Sequence, residues 1–155
     1  MYLTFNKLNN DDYLNIYSFM EPIWKKTYDF LPNGQVDYLL DKYFSIDNLL
    51  NYVKQGLIYE GVYLANELIG IVGYYINKDH LFLDKIYLKI EFQNKKLSTD
   101  IFAYLSKFNL PIRLCVNKNN ALALGSYFKH GFKVLEEQVN VLEHGFINYD
   151  YILEN

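Results

Sequence analysis

The sequence predicts a mixed α/β fold: a mostly antiparallel central sheet with one parallel pair of strands and helices on both faces. Three observations carry this. Before Gly56, apolar residues recur at helical spacing. From Leu57 the period changes to that of strands, and short polar turns separate the runs. Leu81 to Phe132 then reads strand, helix, strand, helix. A strand, a crossover helix and a further strand make a parallel pair, while the hairpins on either side supply antiparallel neighbours.

Taken in order, Asn10 is suited to cap a first helix whose opening turn carries Asp11 and Asp12 at the positive end of the dipole. Tyr13, Ile16, Tyr17, Met20 and Trp24 mark its apolar face, and Pro22 is expected to kink or end it near Glu21. Pro32-Asn33-Gly34 is turn chemistry. Ser45 caps a second helix, Ile46 to Gln55, with Gly56 in the left-handed position that terminates it. Leu57 to Ala65 and Leu68 to Asn77 are strands joined as a hairpin through Asn66-Glu67. After a turn at Asn77 to His80, Leu81 to Ile90 is a third strand. Leu97, Ile101, Leu105 and Phe108 line one face of a helix. Leu110 to Val116 is a strand, Asn119 to His130 a helix stopped by Gly131, and Phe132 to Val141 with Gly145 to Leu153 a closing hairpin. There is no internal repeat and no linker, so 1–155 reads as one domain.

Composition removes several classes of function. The net charge is −3 and Arg113 is the lone arginine of 155 residues. No basic stripe exists to neutralise phosphates, which argues against duplex nucleic acid as a partner. No apolar run reaches the length of a membrane span, and the N-terminal residues lack the pattern of a signal peptide. The single cysteine, Cys115, cannot form an internal disulfide, and its place in a short strand predicts a buried, inert thiol. A cytoplasmic location is the expectation. The histidines His80, His130 and His144 are scattered, without metal-ligand spacing, so no metal is expected. The 16 tyrosines fit either compositional bias or an aromatic acceptor pocket.

The segment richest in chemistry is the loop Gln93-Asn94-Lys95-Lys96-Leu97-Ser98-Thr99. It leads from a strand directly into a helix, and the free N–H groups there, with the dipole, form an anion site to which two lysines add charge. Ile86-Tyr87-Leu88 followed by Gln93-x-x-Lys96-x-Ser98 resembles motif A of the Gcn5-related N-acetyltransferases (GNAT superfamily). Val116-Asn117-x-x-Asn120-x-x-Ala123-x-x-x-Tyr127-x-x-x-Gly131-Phe132 resembles their motif B without a gap. The flanking helices and hairpins resemble that family too, so the likeness spans essentially the whole chain. Lys96 stands where the family has its first glycine, and Ser98 where it has glycine or alanine. Lys96 either adds a contact to phosphate or weakens the cofactor site.

The resemblance implies a GNAT fold and an acetyl-CoA-dependent N-acetyltransferase. Its acceptor would be the primary amine of a small molecule, polyamine or peptide, attacking directly in a ternary complex. It implies pantetheine pairing with backbone at Tyr87 and Leu88, and pyrophosphate on the amides of Gln93, Asn94, Lys95, Lys96, Leu97, Ser98 and Thr99. Asn120 would contact the cofactor, although its position also suits a helix cap. Tyr127 matches the tyrosine that donates a proton or hydrogen bond to the departing thiolate. Asp84, or less favourably Glu60, is the carboxylate available to take the amine's proton. Trp24, Tyr28, Tyr38, Tyr43 and Tyr74 lie in regions suited to an aromatic acceptor wall. A homodimer through the closing hairpin is a further expectation. The rival reading is a GNAT-like module with a degenerate phosphate loop that binds CoA or a partner without turnover.

Overall fold

The computed structural model describes residues 2–32 and 34–155. Among them, seven strands form one sheet in the order β1-β2-β3-β4-β5-β7-β6. The strands are β1 (Leu3–Lys7), β2 (Ile58–Leu64), β3 (Glu67–Ile76), β4 (Leu81–Leu88), β5 (Ile112–Asn117), β6 (Lys133–Val141) and β7 (Ile147–Glu154). All neighbours are antiparallel except β4 and β5. Helices α1 (Asn10–Thr27), α2 (Gln35–Phe44) and α3 (Ile46–Lys54) cover one face, and α4 (Leu97–Leu105) and α5 (Ala121–Lys129) cover the other. The predicted fold class stands.

Strand alternation sorts the two cores. On β2, Val62 packs toward α4 while Tyr59 packs toward α1–α3; on β3, Val72 faces α4 and Ile71 faces α1–α3, and Ile69 joins the α4 side because a bulge against Val62 and Tyr63 leaves it unpaired. The α4 side is filled by residues such as Leu81, Leu83, Ile101, Leu105 and Leu114, each no more than 2% exposed.

Several local expectations are corrected. The cap of α1 is Asn9, whose side chain accepts from Asp12 N–H (3.0 Å) while Asp12 accepts from Asn9 N–H (2.8 Å). This reciprocal capping box fixes the start one residue earlier than read. Pro22 does not end the helix, which continues to Thr27. Pro22 and Ser18 are both exposed, so the carbonyl that loses its i+4 donor faces water, while Met20, Ile23 and Trp24 anchor the helix on its buried side. Helix α2 lies between the two predicted helices; Leu39, Leu40 and Phe44 bury at helical spacing. Strand β1 adds an edge beyond the predicted strands, with Leu3 and Phe5 alternating onto the α4 side. The β2–β3 turn is Ala65-Asn66, at φ 48° and 67°, with Leu64 opposite Glu67. A two-residue turn that follows the twist of the strands needs positive φ at both central positions. Of the Pro32-Asn33-Gly34 turn, Asn33 lies outside the described residues.

Candidate active site

Strands β4 and β5 pair only over Leu81–Leu83 and Ile112–Leu114. The residue after Leu83 begins a β-bulge: Gly73 of β3 faces Lys85 and Tyr74 faces Leu83, leaving Asp84 unpaired. Leu83 and Ile86 both pack toward α4, so the two residues between them occupy one step of the pleat. A bulge bends its strand and raises the local twist, and the pairing of β4 with β5 stops where this one begins. Beyond it the strands part, and a cleft of about 900 Å³ opens between them.

The cleft gathers residues from five elements and the loops between them. Asp84, Tyr87, Leu88, Gln93, Asn94, Lys96, Leu97, Ser98, Thr99, Asn120 and Tyr127 all line it. Lys95 does not; its ammonium lies 5.7 Å from the Phe92 ring. Lys89 N–H donates to Ile69 O on β3 (2.8 Å), so strand alternation turns the Leu88 backbone toward the gap. There the Leu88 carbonyl accepts from Gln93 Nε2 (3.0 Å). This bond folds the loop back against the end of β4 and sets the start of α4.

Lys96 is the residue before α4 and sits in the left-handed region at φ 60°, as does Asn94. A left-handed residue is needed at Lys96 whatever its side chain, and glycine meets that need at no steric cost. Thr99 N–H turns back to Lys96 O (3.3 Å). The earlier first-turn N–H groups have no carbonyl within the helix to receive them. They open on the cleft beside the Lys96 and Ser98 side chains. This is a fitting seat for a phosphate: free donors, the positive helix end and a cation.

Asn120 caps α5, its Oδ1 accepting from Ala123 N–H (3.3 Å), and it also lines the cleft. The other end of α5 explains the spacing of Tyr127, Gly131 and Phe132. Gly131, at φ 86°, lets Phe132 N–H reach Tyr127 O (3.1 Å) and Gly131 N–H reach Phe128 O (3.1 Å). The Tyr127 and Phe132 rings meet at 5.7 Å. This is a Schellman cap with its apolar contact, and it holds the half-buried Tyr127 at the cleft. Burial, then the nearby Tyr28, push the Tyr127 phenol well above its ordinary pKa. Tyr28 and Tyr87 share a hydrogen bond of 2.6 Å across the cleft wall. Burial raises Tyr28 to about 12. All three phenols are neutral at physiological pH; within the Tyr28–Tyr87 pair one hydroxyl donates and the other accepts.

Asp84 is not a free carboxylate. Its Oδ2 lies 2.5 Å from Lys85 Nζ, and that ammonium is buried over the Tyr43 ring at 4.3 Å. Glu60 is placed elsewhere: it accepts from Tyr74 OH (3.0 Å) and Tyr104 OH (2.8 Å) on the α4 side, outside the cleft lining. Tyr74 goes with it, leaving the acceptor region for that core. Tyr28 lines the cleft, and Trp24 and Tyr43 pack behind it at 5.0 and 5.9 Å from one another's rings as Trp24–Tyr28 and Trp24–Tyr43 pairs. Tyr38 packs on His144 and Phe146.

Cys115 is not buried: it is exposed and lines the cleft. Leu114 and Val116 take the α4 side of β5, so Cys115 faces the other side, where the strands have parted. Desolvation, reinforced by the Asp150 carboxylate, raises its thiol to about 12. Sequence reasoning missed Asp150 as a site neighbour; its signal was alternation, which puts it on the same face as Asn148 of β7. Among the described residues no cluster of His, Cys, Asp and Glu is grouped to hold a metal ion, and no helix is long and apolar enough to cross a membrane.

No protein-family profile matches the chain. A curated spermidine N(1)-acetyltransferase of Thermoplasma acidophilum is 25% identical over 145 residues, covering 86% of this chain and 90% of that protein. Among solved structures, the PaiA N-acetyltransferase of T. acidophilum in complex with coenzyme A superposes with a TM-score of 0.76 at 23% identity, covering 100% and 99% of the two chains. A GCN5-related N-acetyltransferase of Rhodopseudomonas palustris reaches 0.80 at 9% identity, covering 100% and 96%. A spermidine N-acetyltransferase of Vibrio cholerae, in complex with CoA and spermine, reaches 0.69 at 22% identity, covering 99% and 94%. With the sheet split at a bulge, free amides at the start of α4 and Tyr127 beside the gap, the chain has the fold of the Gcn5-related N-acetyltransferases and is similar to these enzymes.

Proposed function

We propose that the chain transfers the acetyl group of acetyl-CoA to a primary amine of a small cationic molecule of the polyamine class, by direct attack in a ternary complex. The observation that carries this reading is the split between β4 and β5, which opens to both faces of the sheet. The α4–α5 side offers the phosphate seat and the exposed β4 edge. The α1–α3 side offers aromatic walls and carboxylates. A thioester and an amine entering from opposite faces meet beside Tyr127. The spermidine acetyltransferase among the relatives supports the polyamine class.

In this reading the amides from Gln93 to Thr99 bind the pyrophosphate, with Lys96 adding charge. Backbone at the end of β4, at Leu88, pairs with the pantetheine arm, whereas the Tyr87 backbone is turned to Ile71 of β3; Asn120 contacts the cofactor. The incoming amine attacks once neutral, and its proton leaves toward Asp84, which lines the cleft beside Lys85. Tyr127 donates a hydrogen bond to the departing sulfur. Its raised pKa keeps it protonated, so it acts as a donor that is always loaded. A homodimer is supported by Val139, Val141, Ile147 and Tyr149, apolar side chains left exposed on the closing hairpin.

Titration calorimetry with acetyl-CoA, followed by an amine panel read by thiol release, tests the reading. Micromolar binding and turnover of spermidine are expected. No binding at millimolar acetyl-CoA would overturn it in favour of a module without turnover.

A further inference from the structure

Asp150 is 7% exposed, on β7. Its Oδ2 accepts from Asn140 Nδ2 at 2.7 Å, and the Cys115 thiol lies beside it on β5. Tyr151 and Leu153 pack toward α4, so alternation turns Asp150 and Asn148 to the α1–α3 side, where the acceptor enters. Buried carboxylates are ordinarily paired with a cation. Among the described residues Asp150 has none at ion-pair distance. Lys85 is committed to Asp84. Lys118 is paired with Glu137 at 2.8 Å and sits over the Tyr151 ring; Asp150 adds to the rise of its pKa but lies beyond ion-pair distance. The remaining titratable neighbours from α1, α2 and β5 are Tyr28, Tyr43 and Cys115, all held neutral by burial.

A second acceptor lies one strand repeat away, roughly 6.6 Å along β7. Gln35, at the start of α2, is fully buried and donates from Nε2 to Asn148 Oδ1 (2.7 Å). Its Oε1 is buried without a hydrogen-bond partner. An orphaned amide oxygen and an uncompensated carboxylate on the same side of one strand are both short of donors, and an ammonium group brings three.

We infer that Asp150, with Gln35 beside it, binds a second cationic centre of the acceptor and so selects polyamines over monoamines. This rests on the acetyltransferase reading above. Asp84 serves the reacting amine and Asp150 the positively charged remainder of the same molecule. Burying the carboxylate without a cation costs stability in the free protein and is offset when the polyamine arrives, which makes Asp150 a specificity residue rather than a structural one.

The test compares spermidine with n-butylamine, which has one amine and no second charge, on the wild-type protein and on Asp150→Asn. The wild type is expected to show a spermidine KM at least tenfold below that of butylamine. In Asp150→Asn that ratio should collapse toward one through KM, with the melting temperature equal to or above that of the wild type. An unchanged ratio, or a fall in melting temperature with equal loss on both amines, overturns the inference. Asn140→Leu, which removes the orienting donor, should shrink the ratio less; no change there and in Asp150→Asn is likewise fatal. If acetyl-CoA fails to bind the wild type in calorimetry, the acetyltransferase reading itself falls. If it binds and both amines turn over without discrimination, only the inference falls.

Discussion

On the α4–α5 side of the sheet the buried side chains are aliphatic or aromatic, and the buried phenol there, Tyr74, is satisfied by Glu60. On the α1–α3 side, burial takes in Gln35, Lys85 and Asp150 as well. The buried unpartnered polar atoms among the described residues, Trp24 Nε1, Gln35 Oε1 and Tyr59 OH, lie on that side too. Each such atom costs about 1–3 kcal/mol relative to a bonded one. One face is thus packed for stability and presents the cofactor seat only at its rim, through backbone. The other carries polar groups inside and accepts a less stable core. The difference fits the proposed pair of ligands, a nucleotide held by amides and an amine met by side chains.

The largest expected effect lies on the stable face. Ile101→Ala should cost about 2–5 kcal/mol in denaturant unfolding, because Ile101 is fully buried between α4 and the sheet; a loss under 1 kcal/mol would mean that this core is loosely packed. Next, Tyr127→Phe should lower kcat by about 10²-fold, at the lower end of what an acid–base group supplies, with acetyl-CoA affinity nearly unchanged. An unchanged kcat removes Tyr127 from the chemistry.

On the polar face, Cys115 should react slowly with iodoacetamide at pH 7 despite its exposure, because its thiol is raised to about 12 and the thiolate is the nucleophile. Asp150→Asn removes a negative charge that favours the protonated thiol, so labelling should accelerate and its pH profile shift downward. Equal rates would show that the carboxylate does not face the thiol. The smallest effect is expected at the rim. Lys96→Gly relieves a left-handed lysine but adds chain entropy to the unfolded state, so stability should change by less than about 0.5 kcal/mol. Acetyl-CoA should bind a few-fold more weakly. Tighter binding would show instead that the lysine obstructs the loop.

The elements most legible in the sequence were those with local causes. Gly131 marked the end of α5 because the Schellman cap needs a left-handed residue, and the spacing from Tyr127 to Phe132 is the span of that cap. The loop from Gln93 to Thr99 was legible because a strand running into a helix leaves amides free. Asn66 marked a turn, but the register of β2 on β3 moved its centre back to Ala65-Asn66. Pro22 misled for a tertiary reason: the lost hydrogen bond faces water, and burial of Ile23 and Trp24 outweighs it. Helix α2 and strand β1 carry their periodicity openly, at Leu39, Leu40 and Phe44 and at Leu3 and Phe5.

What the sequence determined by itself was the fold class, the loop that runs from β4 into α4 and the helix that carries Tyr127, since each follows from short-range periodicity, caps and turns. What only the tertiary structure decided was which face each strand residue takes. The bulge at Asp84 placed two consecutive residues on one side, paired Asp84 with Lys85 and stopped β5 from following β4. On the other strands plain alternation places Glu60 and Tyr74 in the α4-side core and turns Cys115 and Asp150 to the α1–α3 side. Period-two alternation makes a single unpaired residue enough to exchange the faces of everything beyond it, and no local signal in the sequence announces where that residue falls.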